Sequence, residues 1–411
     1  MSRQRPIRRI VLALQSTAVG GMETHVVDLA AEYVRRGIVT TVLVPEAPTF
    51  DAVAERVTAG GAAVVRLDTD ARGGRRQQLP RLARLGRTLR RLHPDAVHLH
   101  TGGATGGLGF VALARAATSA SVTVTEHDVP VEVPARAARC ARFAMDHLAH
   151  TLVAVSRRNA RLRHARLGVR APSFAAVLNG VPLADVPAPD RAAGRVRVRA
   201  ELGIEPAAVV IGSLVRLAEG KGLFDLVRAF AIVRQSVDCE LLLVGDGPLR
   251  AEIEELATTA AVRDHVHFAG NQPHPAAYLD AMDVFALAVP AGSMSIALLE
   301  AMGRGLPPVI TFCGPEEAVI PGETGLGADP RNPESLAGAL GALAGSLDLR
   351  ARLGECAADH VRRHFSIGRV ADDLLELYAL RGAPAPARLR ADGPANPRPG
   401  LPLVARPEGT P

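Results

Sequence analysis

The order of apolar segments along this chain constrains its fold more than any other feature. Short runs rich in Val, Ile and Leu alternate with longer segments of helical periodicity. The short runs are almost continuously apolar, which predicts parallel strands covered by helices on both faces. We predict strands at residues 9–14, 39–44, 63–67, 96–99, 121–125, 151–155, 177–178, 209–215, 240–244, 266–269, 284–286 and 308–311.

The alternation runs through both halves of the 411-residue chain, so two doubly wound α/β domains fit it better than one. We predict domains at 1–181 and 194–362, joined by a linker rich in Pro, Ala and Asp at 182–193. A helix at 363–381 is predicted to cross back to the first domain. Residues 382–411 carry eight prolines and little apolar periodicity, which predicts a disordered tail.

Composition excludes several classes of function. The chain has no Trp and only 3% aromatic residues, so a surface that stacks nucleic-acid bases is not expected. Its four cysteines form no CxxC pair, which favours a reducing compartment and argues against a zinc site. The apolar run at 10–14 is too short for a signal peptide, and no 18-residue apolar stretch is present. We therefore predict a cytoplasmic protein.

Charge is distributed unevenly. Residues 1–185 carry 26 Arg against 14 acidic residues, a net +12, while the rest of the chain has a net −6. The basic half predicts an anionic partner such as a membrane surface, a lipid phosphate or an acidic saccharide, although drift in an Arg-rich proteome would produce the same bias. The Arg- and Leu-rich segment at 81–92 either lies on an anionic bilayer or covers the sheet with its arginines in water.

One lysine stands out, because Lys221 is the only lysine among 48 basic residues. Its retention suggests a need for a compact ammonium group rather than a planar guanidinium. Lys221 follows Arg216 in the loop between a predicted strand and a predicted helix. Two cations beside a helix N-terminus suit an anion, and a diphosphate is the obvious candidate. The alternative is a surface lysine that has survived by chance.

Two further loops follow predicted strands in the N-terminal half. Gly20 and Gly21 follow the first strand and would let a ligand approach the backbone, although such loops are common in α/β sheets. His127 ends another strand, where its imidazole would face the cleft and contact a sugar hydroxyl or phosphate. A lone histidine is more often structural, so both alternatives stay open.

In the C-terminal half, Gly245 and Gly247 form a turn that is either a plain turn or a backbone platform beside a nucleotide base. Glu300 lies in an apolar helical segment, where a carboxylate needs a partner. A ribose diol would supply two hydrogen-bond donors, and a salt bridge is the alternative. Glu317 lies in the next loop, next to Glu316.

The order of these motifs resembles the GT-B-fold, family-four retaining glycosyltransferases over most of residues 7–380. The most specific matches are Arg216 with Lys221, the Gly245-Asp-Gly-Pro turn, the Glu300-Ala-Met segment and the Thr-Gly-Leu turn at Thr324. The resemblance implies two Rossmann-like domains facing a cleft, with the acceptor on the first domain and the nucleotide-sugar donor on the second. It also implies that no metal cofactor is needed.

Residue by residue, the resemblance implies that Arg216 and Lys221 bind the diphosphate and stabilise the leaving group. Glu300 would hold the ribose, and His127 would line the sugar side of the cleft as part of the catalytic set. The remaining donor-binding positions would be Gly20, Gly21, Gly245, Gly247, Ser293, Ser295 and Glu317. The acceptor would be lipid-linked, a saccharide or a small molecule, in cell-envelope or polysaccharide biosynthesis.

One position departs from the family pattern. The first of the two glutamates that such enzymes usually carry is replaced here by Gly292. A water, Ser293, Ser295, Glu316 or Glu317 is the available substitute. The departure keeps a second hypothesis open, in which the chain is a catalytically silent nucleotide-binding relative that acts as a partner or regulator. A sugar-nucleotide epimerase on the same fold is a weaker third alternative.

Overall fold

The structure is a computed structural model that describes residues 6–67, 75–102, 107–128, 136–167, 171–183, 188–290, 294–311 and 317–390. Two parallel β-sheets with helices packed on both faces account for most of these residues. The prediction of two doubly wound α/β domains is confirmed.

The first sheet has seven parallel strands in the order β3-β2-β1-β4-β5-β6-β7. Each strand is followed by a helix except the last, so each crossover places a helix on one of the two faces. The strands are β1 to β7: Arg9–Gln15, Val39–Val44, Ala63–Arg66, Ala96–Thr101, Ser121–Glu126, Thr151–Ala154 and Ser173–Ala176. The helices are α1 to α6: Gly21–Arg35, Asp51–Ala59, Arg75–Leu92, Leu108–Ala117, Arg136–Leu148 and Arg157–Leu167.

The second sheet has six parallel strands in the order β10-β9-β8-β11-β12-β13. Its strands are β8 to β13: Val209–Leu214, Cys239–Val244, Val266–Gly270, Val284–Leu287, Pro308–Thr311 and Leu326–Ala328. Its helices are α7 to α13: Ala188–Leu202, Leu223–Arg234, Arg250–Thr259, Ala276–Asp280, Ile296–Gly303, Pro333–Ala344 and Leu347–His364. Strand order reverses between β1 and β4 in the first sheet and between β8 and β11 in the second, and such switch points are where open α/β sheets bind ligands.

The chain passes between the two domains twice. The first passage follows β7, and the second leads from α13 into the last helix, α14, Ile367–Leu380. The two passages are paired, because the Val181 N–H donates to the Phe365 carbonyl (2.9 Å) and the Ile367 N–H donates to the Val181 carbonyl (2.9 Å). Helix α14 packs on the core of the first domain, where the Tyr378 and Tyr33 hydroxyls lie 3.2 Å apart.

Three details differ from the predictions. The strand predicted at 177–178 is wrong, because the ladder with β6 is made by Ser173–Ala176 and the apolar residues that follow leave the sheet. Strand β13 was not predicted, since three residues carry too little pattern. Helix α7 begins inside the predicted linker, because its Pro and Asp lie in the first helical turn, where both residue types are favourable.

The start of the predicted tail is ordered. Leu389 is only 5% exposed and packs in the core of the first domain. Arg390 forms an antiparallel bridge with Ala175 of β7. The prediction of disorder is therefore wrong for residues 382–390, whose prolines and alanines have a packed surface to rest on. The rest of the predicted tail lies outside the described residues.

Helix α3 covers the first sheet with its apolar side. Leu85 and Leu89 are buried in the core between the helix and the sheet. The arginines at 81, 84, 87, 90 and 91 are exposed. In the part of the chain that the structure describes, no helix is both long enough and apolar enough to cross a membrane.

Candidate functional site

The loop after β8 places Lys221 directly before the N-terminus of α8. Gly222 precedes the helix with a positive φ of 67°. A Cβ atom there would lie 1.8 Å from the backbone oxygen of Ala288, which follows β11. Only glycine allows this approach. The free N–H groups at the start of α8 and the Lys221 ammonium group are thereby held at the switch point between β8 and β11.

The loop that carries Arg216 is held by the loop after β9. The Leu217 N–H donates to the Asp246 carbonyl (3.0 Å), and the Leu249 N–H donates to the Leu217 carbonyl (3.0 Å). A Cβ atom at Gly245 would lie 2.1 Å from the Val215 carbonyl oxygen. The glycines at 245 and 247 therefore let two loops touch, so a structural role accompanies the predicted role in donor binding.

Arg216 and Lys221 have no protein anion as a partner. Arg216 is exposed and Lys221 is half-buried, and within the described residues neither side chain forms a hydrogen bond or an ion pair. Other arginines of this domain are neutralised, as Arg199 is by Asp283 at 2.8 Å. Two unpaired cations beside a helix N-terminus leave positive charge available to a bound anion.

Helix α11 carries the predicted ribose ligand. Ser295 caps the helix by accepting a hydrogen bond from the Leu298 N–H (3.3 Å), so its hydroxyl has a structural task in addition to the predicted one. Burial raises the pKa of Glu300, while Arg304 and Arg56 lower it. The Glu300 carboxyl group makes no hydrogen bond within the described residues, which leaves its oxygens available to a ligand. Gly292, Ser293 and Glu316 lie outside the described residues.

The Gly20-Gly21 loop faces the start of α11 across the domain boundary. A Cβ atom at Gly21 would lie 3.6 Å from the Ile296 side chain. The Gly20 N–H donates to the Glu23 carboxylate at 2.7 Å, which fixes the first turn of α1. These contacts bring the predicted N-terminal loop and the predicted ribose-binding helix to the same cleft.

A second carboxyl group lies near Glu300 on the first domain. Burial raises the pKa of Asp28 to about 7, Arg56 opposes this shift, and the charge of Glu300 adds to it. Asp28 lies in α1, so the two acids approach each other from different domains. Two carboxyl groups therefore meet at the boundary between the domains. Their negative charge must be offset there by a ligand or by a proton.

Four buried histidines surround the carboxyl ends of β4 and β5. His127 is 7% exposed, and its Nε2 lies 3.1 Å from His100 Nδ1. His98 Nδ1 lies 2.6 Å from the Tyr378 hydroxyl, and the His25 ring is 5.7 Å from the His127 ring. Burial lowers the pKa of His25 to about 4 and that of His98 to about 3. Burial also lowers the pKa of His100 and of His127 well below 6.5, so the cluster is neutral at pH 7.

The predicted cleft-facing His127 thus belongs to a polar cluster inside the first domain. A neutral imidazole there can donate or accept a hydrogen bond without adding charge. Within the described residues, no group of three or more His, Cys, Asp or Glu side chains is arranged to hold a metal ion.

The buried imidazole of His25 predicts a loss of stability in acid. The folded pKa of about 4 lies below the ordinary value of 6.5, so only the unfolded chain takes up this proton between those values. The stabilisation is therefore complete above pH 6.5 and is lost as the pH falls towards 4. We expect His25→Gln to reduce the drop in unfolding free energy between pH 7 and pH 5 by on the order of 2 kcal/mol, measured by urea titration. An unchanged pH dependence would contradict this account of His25.

Glu317 contacts the first domain directly. Its carboxylate oxygens accept hydrogen bonds from the backbone N–H groups of Arg157 (2.9 Å) and Arg158 (2.6 Å), at the N-terminus of α6. A carboxylate is favoured there by the helix dipole. Glu317 therefore joins the two domains at the mouth of the cleft, and its predicted donor contact would require it to leave α6.

A buried ion triad supports the strand end that carries His127. Arg163 Nε lies 3.1 Å from a Glu126 oxygen, and Arg163 Nη2 lies 2.7 Å from an Asp146 oxygen. The Arg163 side chain is 1% exposed and each carboxylate is 5% exposed. The triad ties β5, α5 and α6 together directly beside the histidine cluster.

Several residues near the site were not predicted. They are Asp28, His25, His98, His100 and Asn179. His98 and His100 alternate along β4 with the period of one sheet face, and this signal was available in the sequence. The other three acquire their surroundings from distant parts of the chain, so no local pattern marks them.

Comparison with known proteins places the chain among transferases of sugars. The family model described as glycosyl transferases group 1 matches residues 205–346, and the model described as Glycosyltransferase Family 4 matches residues 19–185. The chain is 30% identical over 327 residues to 2-deoxystreptamine N-acetyl-D-glucosaminyltransferase of Streptomyces fradiae. That alignment covers 71% of this chain and 74% of that protein.

Other relatives match a smaller region. The lipopolysaccharide core biosynthesis glycosyltransferase LpsE of Rhizobium meliloti is 33% identical over 184 residues, which are 44% of this chain and 53% of that protein. The chain spans about half the length of the first curated relatives that it matches. Among solved structures, Anabaena Alr3699/HepE in complex with UDP has a TM-score of 0.73 at 20% identity, covering 90% of this chain and 98% of that chain.

Proposed function

Because the chain belongs to the family 4, group 1 glycosyltransferases and has their GT-B fold, we propose that it transfers a sugar from a nucleotide-diphosphate sugar to an acceptor hydroxyl. The observation that carries this proposal is the pair of unpaired cations, Arg216 and Lys221, at the switch point of the second sheet. Their place at the N-terminus of α8 supports binding of a diphosphate there. The solved complex of Anabaena HepE with UDP makes a uridine nucleotide the first candidate.

The proposed reaction retains the configuration of the transferred sugar. The acceptor oxygen forms a bond to the anomeric carbon on the face from which the diphosphate leaves. The bond between that carbon and the phosphate oxygen breaks, and the acceptor proton passes to the departing phosphate oxygen. Arg216 and Lys221 neutralise the charge that develops on the diphosphate, so the reaction proceeds without a metal ion.

The other predicted residues orient the donor. Glu300 accepts hydrogen bonds from the ribose, and neutral His127 reaches the sugar side of the cleft only through the 7% of its surface that is exposed. Closure of the two domains excludes water and so limits hydrolysis of the donor. We further propose a saccharide or lipid-linked acceptor in cell-envelope or polysaccharide synthesis, and LpsE, named for lipopolysaccharide core biosynthesis, supports this class of acceptor.

A thermal-shift panel with UDP, GDP, ADP and their sugar conjugates tests the donor site. A ligand at about 100 times its dissociation constant adds roughly 2.7 kcal/mol of stability. We expect the nucleotides of one base to raise the thermal unfolding midpoint of the unaltered chain by a few degrees. A panel without any shift would contradict the proposal.

The silent relative remains a second candidate because Gly292 replaces a carboxylate. Once the nucleotide is known, a turnover assay distinguishes the two candidates. If the unaltered chain binds donor without turnover and Gly292→Glu creates turnover, the chain acts as a partner or regulator. Turnover by the unaltered chain excludes that candidate.

We also propose an electrostatic contact between α3 and anionic lipid. The apolar side of α3 is buried against the sheet, so its exposed arginines are the part left to meet a membrane. We expect binding to vesicles of phosphatidylglycerol and phosphatidylcholine at low salt, release at about 0.5 M salt, and weaker binding after Arg87→Glu with Arg91→Glu. Sedimentation with vesicles measures this, and failure to bind at low salt would remove the proposal.

A further inference from the structure

Asn179 lies on the first passage between the domains and contacts the start of α11. Its side chain is 4% exposed. Its Nδ2 group donates to the backbone oxygen of Met294 at 2.8 Å. Met294 precedes Ser295, the residue that caps α11. A side chain of the first passage therefore fixes the first turn of the helix that bears Glu300.

The backbone around Asn179 is held from three sides. The Asn179 N–H donates to the Val155 carbonyl (3.3 Å), and the backbone of Gly180 hydrogen-bonds to His25. A Cβ atom at Gly180 would lie 2.7 Å from the Ser366 carbonyl oxygen on the second passage. The amide of Asn179 is thus presented from a fixed base rather than from a free loop.

The other end of the Asn179 amide is not satisfied. Its Oδ1 atom is buried and accepts no hydrogen bond from any residue that the structure describes. A buried acceptor without a hydrogen bond costs on the order of 1–3 kcal/mol of stability. An apolar residue packed at this position would not carry that cost. The donor end, which reaches Met294, is the end that a smaller or apolar residue would not supply.

The two ends of α11 are held differently. Leu299 and Met302 are buried in the core of the second domain, so the middle and end of the helix stay in place without Asn179, and the Met294 side chain is buried in the same core. The first turn faces the other domain, where Ile296 lies against Gly21. Loss of the Asn179 contact would therefore release the backbone carbonyl of Met294 beside the Ser295 cap, while the buried Met294 side chain and Glu300 stay in position.

We propose that Asn179 is a positioning residue that holds the first turn of α11 for the sugar half of the donor. This inference rests on the proposed function. Glu300, Arg216 and Lys221 hold the nucleotide independently of the first turn. Asn179 therefore discriminates between nucleoside diphosphate and nucleotide sugar, a distinction that a residue with only a structural role would not make.

Isothermal titration with UDP and with UDP-glucose tests this. We expect Asn179→Asp, which keeps the shape but cannot donate to Met294, to weaken UDP-glucose binding at least fivefold and to change UDP binding less than twofold. Asn179→Ser, which keeps a donor, should lie between the two and serves if the aspartate variant does not fold. The matched control is Asn332→Ala, which removes the partly buried hydrogen bond that the Ser335 N–H donates to the Asn332 side chain at the start of α12, without touching the cleft.

If Asn179→Asp weakens the binding of UDP and of UDP-glucose equally, or weakens neither, the positioning role alone is overturned. Failure of the unaltered chain to bind UDP, GDP, ADP or any of their sugar conjugates would instead contradict the donor site in the proposed function, and this inference with it; if another base binds, its nucleoside diphosphate and sugar conjugate replace UDP and UDP-glucose in the titration. A selective loss of UDP-glucose binding that also appears in Asn332→Ala would show a general effect of stability and would overturn the inference.

Discussion

Replacing Lys221 by alanine is expected to lower turnover at least about tenfold, which corresponds to some 1.4 kcal/mol of barrier. The ammonium group lies next to the N-terminus of α8 and has no protein partner within the described residues, so its charge is free to act on a departing diphosphate. Stability should change little, because no hydrogen bond or ion pair is lost. Steady-state kinetics and the nucleotide-induced thermal shift together measure the effect.

Arg228→Ala is the matched control for Lys221. Arg228 is an exposed cation on α8, the helix that follows Lys221, and it lies 3.6 Å from Asp225. Its removal changes the net charge by the same amount, and we expect turnover within about twofold of the unaltered chain. Normal turnover in Lys221→Ala, or an equal loss in both variants, would contradict the diphosphate assignment.

Replacing Arg163 by methionine is expected to lower the unfolding free energy by about 3–5 kcal/mol. The methionine fills much of the space but leaves Glu126 and Asp146 buried without their cation. A buried carboxylate that has lost its cation destabilises the fold far more than the removal of all the charges together would. The thermal midpoint should fall by at least about 5 °C, measured by calorimetry.

Two controls separate charge from packing at Arg163. Arg197→Met breaks an exposed pair with Glu201 and should change stability by less than about 0.5 kcal/mol. The triple change Arg163→Met, Glu126→Gln and Asp146→Asn removes all three charges and should recover part of the loss. If Arg163→Met alone is as stable as the unaltered chain, the triad contributes no net stability.

Much of the fold follows from local pattern. Strands that are buried on both faces, such as β1, β8 and β12, are continuous apolar runs, and sequence periodicity locates them to within about a residue. The error at β7 arises because sheet pairing rather than hydrophobicity decides which part of the run 174–178 forms the ladder. The order of residues 382–390 depends on a packed surface supplied by the first domain, which no local pattern shows.

The candidate site likewise combines residues that the sequence marks with contacts that it does not mark. Lys221 and the glycines at 20, 21, 245 and 247 were marked by composition or by their place after strands. The contact of Glu317 with α6 joins residues 160 positions apart, and that of Asn179 with Met294 joins residues 115 positions apart. Such pairs are set by how two domains face each other, and a single sequence carries no signal for that arrangement.

The second passage between the domains has a consequence for synthesis of the chain. Helix α14 covers the face of the first sheet that carries His98, and Tyr378 lies against that histidine. During translation, the strands of the first sheet emerge roughly 10 to 40 s before α14 does, at about 5–20 residues per second. The first domain is therefore begun first and completed last, and until then this face of the sheet has α1 and α2 on it but lacks the cover that α14 supplies around His98. A nascent chain in this interval is the species in which assistance by a chaperone would matter most.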